Sequence, residues 1–411
     1  MKIEFISTAP DPSAIVNLAE LGIPRLAKLG SDVFLLGGVG ETDSRSMQRY
    51  GRELRAALAT ALESEWKVNH FSTVPGRVAG ALKQGVSARA VTAVMRHVQY
   101  PLNASRLKAD VFHVLDHGYA HLLLALDPRR TVVTCHDLIP LLVHRRMLDL
   151  AMDTHVGWTF QFRMRFMRRA AYIIAVSEST RRDIINLLGV DPERVVTVPN
   201  GVAPVFHPSP DQLTSMRLRK QLQLPLDLKL VLNVSGTNEY KNIGLILRAI
   251  GILKQRRTNI RFLRAGGDFS AGERKLIREL GISDCVQYVG SPAGDSELAD
   301  LYRLADVFAF PSFYEGFGWP PLEAMRCGTP VVASNAGSLP EVLGDAALLI
   351  EPHDARGVAD ALAALMSNQS LRAERVTRGL QRASTYTWER TAQQTGEVYQ
   401  RIARDRRSPA L

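Results

Sequence analysis

Short apolar runs alternate with longer amphipathic stretches along almost the whole chain. Runs of four to eight residues rich in β-branched side chains read as buried strands, and stretches with apolar positions three and four apart read as helices. In the first half this pattern predicts strands at Ile3–Ser7, Val33–Gly37, Val68–Phe71, Val111–Leu115, Thr131–Cys135, Tyr172–Val176 and Val195–Val198. The second half repeats the scheme near Leu230–Val234, Ile260–Leu263, Val286–Val289, Val307–Phe310, Val331–Ala333 and Ala347–Ile350. Helical patterns lie between most of these runs, so each half predicts a parallel sheet covered by helices.

Between the halves lie Val198-Pro-Asn-Gly-Val202 and then Pro204, Pro208 and Pro210, a stretch that suits an interdomain connection. The expected class is α/β, with two doubly wound domains at 1–203 and 204–390. A tail helix at 391–411, in the run that opens at Trp388, is expected to pack back on the first domain. Open parallel sheets bind ligands beyond the carboxyl ends of their strands, so two such domains facing each other make a cleft with loops on both walls.

A chain of 411 residues is long enough for two cores, and 46% hydrophobic with 22% charged residues is the composition of a globular protein. The net charge of +10 admits nucleic acid, an anionic membrane surface or phosphorylated substrates as partners. The basic residues are scattered and accompany no nucleic-acid module, so no nucleic acid is expected. Cys135, Cys285 and Cys327 show no metal or redox spacing and read as small core residues; no metal is expected. No apolar run reaches the roughly 18–20 residues of a membrane span. The start of the chain, Met1-Lys-Ile-Glu-Phe-Ile6, lacks the apolar core of a signal peptide, which predicts a cytoplasmic protein. Apolar and basic residues interleave over Phe160–Arg169, a pattern compatible with docking at the inner face of the membrane, though a helix with one core face and solvated arginines is the preferred reading.

The densest candidate chemistry is Glu315-Gly-Phe-Gly-Trp-Pro-Pro-Leu-Glu323, which follows the predicted strand Val307–Phe310. Pro320 and Pro321 fit only the first turn of a helix, which places Glu323 just inside it and Glu315 before it. Gly316 and Gly318 let backbone approach a ligand, and the amides near Phe317 and Leu322 at a helix start suit an anion. The alternative is that each glutamate only complements a helix dipole. Ser235-Gly-Thr-Asn-Glu-Tyr-Lys-Asn242 follows another strand, so Gly236, Thr237 and Lys241 form a loop suited to a diphosphate, unless Lys241 is merely a solvated helix lysine. His136 and Asp137 end a strand of the first half, where His136 is either functional or a hydrogen-bonded structural imidazole.

These residues resemble the retaining glycosyltransferases of family 4, which have the GT-B fold of two Rossmann-like domains facing across a cleft. The resemblance rests on Ala305-Asp306, Pro311 to Met325, Cys327 to Ser334, Gly337 to Val342, Arg264-Ala-Gly-Gly267 and Tyr288-Val-Gly290. It continues at the junction in Val176-Ser177 and Pro199-Asn-Gly-Val202. It implies transfer of a hexose from a nucleotide-sugar donor, with GDP-mannose as the guess, to a glycan or lipid-linked saccharide acceptor in surface polysaccharide synthesis. No cofactor and no metal are implied. Glu315 is similar to the family's glutamate for the donor sugar, Glu323 to the one for the ribose diol, Lys241 to the diphosphate lysine, and His136 to a histidine that donates to a sugar hydroxyl.

Two departures stand out. The family's usual arginine beside the lysine is replaced by Tyr240, with Arg264, expected just after a strand, as a substitute. The family's first Gly-Gly-x-Gly loop is replaced by Ser7-Thr-Ala-Pro-Asp-Pro12. A catalytically inactive sugar-nucleotide-binding module and a glycoside hydrolase, whose paired carboxyls would flank the bond, stay open as alternatives.

Overall fold

The computed structural model describes residues 31–37, 45–64, 66–72, 88–150, 154–209 and 212–405. Two parallel six-stranded sheets organise them. The first runs in the order β2-β1-β3-β4-β5-β6, from β1 (Ser31–Leu36), β2 (Trp66–Phe71), β3 (Val111–Val114), β4 (Thr131–Cys135), β5 (Tyr172–Ala175) and β6 (Val195–Thr197). The second runs β12-β11-β10-β7-β8-β9, from β7 (Lys229–Ser235), β8 (Ile260–Gly266), β9 (Val286–Tyr288), β10 (Val307–Phe310), β11 (Val331–Ser334) and β12 (Leu348–Ile350). The predicted strand Ile3–Ser7 and the loop Ser7–Pro12 lie outside the described residues.

Strand side chains alternate between faces, and helices cover both. In β7, Leu230 and Leu232 enter one core and Val231 the other. In β1, Val33 and Leu35 enter one core and Leu36 the other. Burial on both faces explains why these strands read as continuous apolar runs. β8 continues past its predicted end at Leu263, pairing in register with β7 from Ile260↔Lys229 to Gly266↔Ser235, and so draws Arg264 into the ladder. That polar residue ends the apolar run, and the backbone pairing continues past it.

After the second sheet the chain returns. The helix Trp388–Asp405 buries Trp388, Ala392, Val398, Tyr399 and Ile402 in the core shared with β1 and the helix Arg45–Ala61. Its Tyr399 hydroxyl is hydrogen-bonded to His113 Nδ1 at 2.7 Å, and His113 Nε2 to Thr134 Oγ1 at 2.7 Å. Thr134 in turn meets the Tyr50 hydroxyl at 3.0 Å, so one buried polar chain links the last helix, β3, β4 and the first helix. The two crossings between the halves also touch: Val202 N donates to Tyr386 O at 3.0 Å, and Thr391 Oγ1 donates to Pro199 O at 2.7 Å. Gly201 lies against the Thr387–Trp388 backbone, where a Cβ would overlap it.

Burial pushes His113 down to about 3, with the charge of His136 adding to the effect. In the unfolded chain the same group titrates near 6.5, so below that pH the unfolded state takes up a proton that the folded state refuses. The stability contributed by neutral His113 is therefore complete above about pH 6.5 and declines as the pH falls towards about 3. Urea unfolding is expected to show a lower midpoint at about pH 5 than at about pH 7.5. In His113→Gln the difference should shrink, and an unchanged difference would contradict this origin.

Candidate functional site

The carboxyl ends of β4, β7 and β10 converge on one cleft. Beyond β7 the chain makes a single 3-10 turn, Glu239–Lys241, then Asn242 at φ 55° opens the helix Ile243–Gln255. Asn242 tolerates this left-handed conformation and donates Nδ2 to Pro311 O at 3.0 Å and Pro352 O at 2.7 Å. Lys241 thus sits two residues before the helix rather than inside it. Its Nζ reaches Glu315 Oε1 at 2.7 Å, with the two side chains only 14% and 10% exposed. The ammonium also lies over the rings of Tyr240 and Phe310. Burial works against the charge on Lys241, but the Glu315 carboxylate outweighs it and the net shift is upward. Lys241 is a cation at every physiological pH.

Gly318, at φ 98°, turns the chain from Glu315 into the helix Trp319–Arg326, whose second and third residues are the two prolines. Gly316 packs against the opposite wall so closely that a Cβ would overlap the His136 carbonyl oxygen. The Gly316 carbonyl accepts from Ser177 Oγ at 2.6 Å and Thr180 Oγ1 at 3.1 Å. Glu341 completes this clasp by accepting the amides of Glu178 and Ser179 at 2.7 and 3.1 Å, at the amino end of the helix Glu178–Leu188. A carboxylate there meets unpaired amides and the positive end of the helix dipole. The Tyr314 hydroxyl donates to Asp183 on the same helix.

His136 follows β4 and is 7% exposed. Its Nε2–H donates to Leu115 O at 2.8 Å, and its ring meets Tyr50 edge-on at 4.7 Å. Burial lowers its pKa, which Asp116 opposes. A neutral imidazole with Nε2–H engaged presents Nδ1 as an acceptor. The expectation that His136 donates to a sugar hydroxyl is therefore reversed in this tautomer.

Glu323 is 2% exposed, and both carboxylate oxygens are taken. Tyr302 donates to Oε2 at 2.9 Å, and Arg49, from the first half, donates Nη1 to Oε1 at 2.8 Å. The Arg49 guanidinium lies 4.9 Å from the Phe206 ring centroid and 5.6 Å from that of Trp319. Burial pushes Glu323 upward against the pull of Arg49. Ribose hydroxyls would have to share this carboxylate with Arg49 and Tyr302 or displace them.

Arg264 also differs from expectation. It lies inside β8, is fully buried, and donates Nε to Gly267 O at 2.6 Å and Nη2 to Gly236 O at 3.2 Å. It braces the two glycine loops beyond β7 and β8. Leu322 is buried at 0% and Phe317 at 6%, both in the core under the cleft, so of these residues only backbone can face a ligand. Thr237 and Gly236 line the loop against Gly267. Among the described residues no group of three or more His, Cys, Asp or Glu is arranged to hold a metal ion.

Two family models match the chain: "Glycosyltransferase Family 4" over residues 25–205 and "Glycosyl transferases group 1" over 215–382. An "O-antigen chain mannosyltransferase B" of Escherichia coli is 32% identical over 61% of this chain and 68% of its own length. The chain belongs to the group 1 glycosyltransferases.

A "D-inositol 3-phosphate glycosyltransferase" of Kineococcus radiotolerans is 36% identical over 57% of the chain and 58% of its own length. A "Serotype-specific mannosyltransferase WbdA" of Escherichia coli is 29% identical over 67% of the chain but only 34% of its own length. The match thus spans about a third to three fifths of these two relatives. In fold, sucrose-phosphate synthase from Thermosynechococcus elongatus superposes with a TM-score of 0.71 at 22% identity, covering 90% of this chain and 99% of that one. Anabaena HepE in complex with UDP and glucose gives 0.68 at 20%, covering 90% and 99%. The expected GT-B architecture is thereby confirmed for this glycosyltransferase.

Sequence reasoning missed Arg49, Tyr302 and the Ser177–Glu341 clasp. Only Ser177 carried a signal, as an N-cap before Glu178. The close approach at Gly316 leads to a direct test. Gly316→Ala must push the two walls of the glycosyltransferase apart. We expect sugar transfer to fall by at least about tenfold with the cooperative unfolding transition retained, since a small misplacement of the walls can cost about 100-fold. Full activity in the variant would show that the walls need not meet at this point.

Proposed function

We propose that the protein transfers a hexose, with mannose as the first choice, from a nucleoside-diphosphate sugar to a hydroxyl of a glycan or lipid-linked saccharide, with retention of configuration. The observation that carries this reading is the buried Lys241–Glu315 pair at 2.7 Å, set beyond β7 and β10 and facing His136 across the contact at Gly316. Mannose is favoured because two of the similar proteins are named mannosyltransferases.

In this reading the donor separates the pair. Its diphosphate takes the Lys241 ammonium, and the sugar hydroxyls donate to Glu315. The ribose diol replaces Arg49 at Glu323. As the bond from the anomeric carbon to the leaving phosphate oxygen stretches, negative charge grows where Lys241 and the loop amides are already aimed, which lowers the barrier. The acceptor oxygen bonds to the anomeric carbon from the same face and gives its proton to the departing phosphate. His136 Nδ1 accepts from a hydroxyl of the transferred sugar. Closure at Gly316 keeps water out.

Lys241→Ala and Glu315→Gln are each expected to cut turnover by at least about tenfold, since losing one electrostatic contact to the transition state costs about 2.7–4 kcal/mol. Chelators should leave wild-type turnover unchanged. Wild-type rates in both variants would defeat the assignment, and tight donor binding without transfer to any acceptor would favour an inactive binding module. A thermal-shift screen over GDP-, UDP-, ADP- and dTDP-sugars identifies the donor, because ligand at about 100 times Kd stabilises the fold by about 2.7 kcal/mol. The GDP-sugar is expected to give the largest shift.

The protein is proposed to act in the cytoplasm, with its first half at the inner face of the membrane. No helix among the described residues is long and apolar enough to cross a membrane. Over Thr154–Met167 the structure supports both aspects of the sequence pattern: Phe160, Met164 and Met167 are buried, while Trp158 and Phe162 are 65% and 58% exposed.

A further inference from the structure

On the acceptor wall, a group of polar atoms stands unpaired where burial makes that costly. His121 is 5% exposed; its Nε2–H donates to Arg96 O at 2.8 Å, and its Nδ1 is buried with no hydrogen-bond partner. Arg96 bonds Gly118 O through Nη2 at 2.8 Å, but its Nε is buried and unpartnered, and the guanidinium lies 4.3 Å from the Tyr119 ring centroid. The His97 ring is 4.9 Å from that of His121 and opens to solvent. Arg163, on the helix Thr154–Met167, is near enough for its charge to act on Arg96, His97 and His121, and no hydrogen bond or ion pair holds it among the described residues. The Asp116 carboxylate also acts on Arg163, but its Oδ1 is taken by the Gly118 amide at 2.7 Å.

The two guanidinium groups act on each other's charge, and the one carboxylate that acts on both, Asp116, is a single anion for two cations. The group adjoins the reacting cleft through His117, whose ring is 6.2 Å from that of His136. We propose that Arg96 and Arg163, with His97 and His121 beside them, form a subsite for a phosphate ester carried by the acceptor. The inference rests on the reading that the first half of the chain holds the acceptor. Planar guanidinium forks match phosphate oxygens in charge and geometry. For a phosphate monoester His121 adds discrimination: its Nδ1 carries a lone pair, which a carboxylate cannot satisfy but a P–OH can. A phosphate monoester has its second pKa near about 6, so the protonated form is within reach.

Apolar rows flank the subsite. Val94, Val98 and Leu102 follow at intervals of four on one helical run and are 42%, 51% and 60% exposed, and Trp158 and Phe162 repeat the spacing next to Arg163. A lipid-linked phosphate and a free phosphosugar share the same anionic chemistry, so the test separates them.

Inorganic pyrophosphate is titrated calorimetrically into the full chain carrying Lys241→Ala, which removes the donor-side lysine. We expect a remaining site whose affinity falls at least about tenfold on adding Arg163→Gln or Arg96→Gln, the loss typical of a charged hydrogen bond, and recovers in part with Arg163→Lys. Arg163 has no partner to lose, so the melting temperature of Arg163→Gln should match that of its parent. Sedimentation with phosphatidylcholine vesicles, with and without phosphatidylglycerol, supplies the second arm. Phosphatidylglycerol-dependent binding that Arg163→Gln abolishes supports a lipid phosphate; pyrophosphate binding without vesicle binding supports a soluble phosphorylated acceptor. If the Lys241→Ala chain binds neither probe, or if both arginine variants bind as it does, the proposal is overturned. Because binding is read directly, that failure is distinct from the loss of sugar transfer that Lys241→Ala alone is expected to cause.

Discussion

A helix amino end meeting a carboxylate and a carbonyl from the other domain is the contact that gives the cleft its shape. Ser177 and Thr180 hold the Gly316 carbonyl, and Glu341 accepts the first free amides of the helix Glu178–Leu188. Each partner satisfies a group that its own domain leaves unpaired, so the interaction is specific without a large apolar interface. It sets Gly316 on the His136 carbonyl, and that in turn brings Lys241 and Glu315 opposite the wall that carries His136. The missing side chain at Gly316 is a steric condition of this arrangement rather than a matter of loop flexibility.

The two cations beside Glu315 and Glu323 each already have an anion. Lys241 has Glu315, and Arg49 has Glu323. A buried charge without a partner would cost several kcal/mol, so each pair holds its two side chains in place. In the proposed reading, donor affinity is a difference between two sets of contacts and not a sum over one. The arginine that the resemblance led us to expect beside Lys241 is absent, and Arg264 lies inside β8 with Nε and Nη2 bonded to backbone carbonyls of the two glycine loops. Its contribution is to hold those loops in place.

Much of the fold was legible in the sequence because its signals are local. Strands buried on both faces produce unbroken apolar runs, and every such run within the described residues became a strand. The error at β8 came from Arg264, where a buried cation mimics the end of a strand. The Glu315–Glu323 segment was legible because proline and glycine constrain the backbone wherever they stand. Arg49 was not: its partner Glu323 lies 274 residues away, and an arginine on an amphipathic helix looks the same whether it faces water or a buried glutamate. The orientation of His136 was hidden for the same reason, since the Leu115 carbonyl that fixes its tautomer comes from a neighbouring strand.

The return of the chain after the second sheet has a further consequence. The first domain's core is closed by Trp388, Tyr399 and Ile402, and its buried histidine chain ends on Tyr399. During synthesis, residues 31–197 leave the ribosome with an apolar face bare and the nitrogen of His113 unmatched, and both wait for nearly two hundred further residues to emerge. The second domain, contiguous in sequence, has no such wait. The later half is therefore set to fold first, and the earlier half is the one exposed to chaperones and aggregation until the last helix arrives.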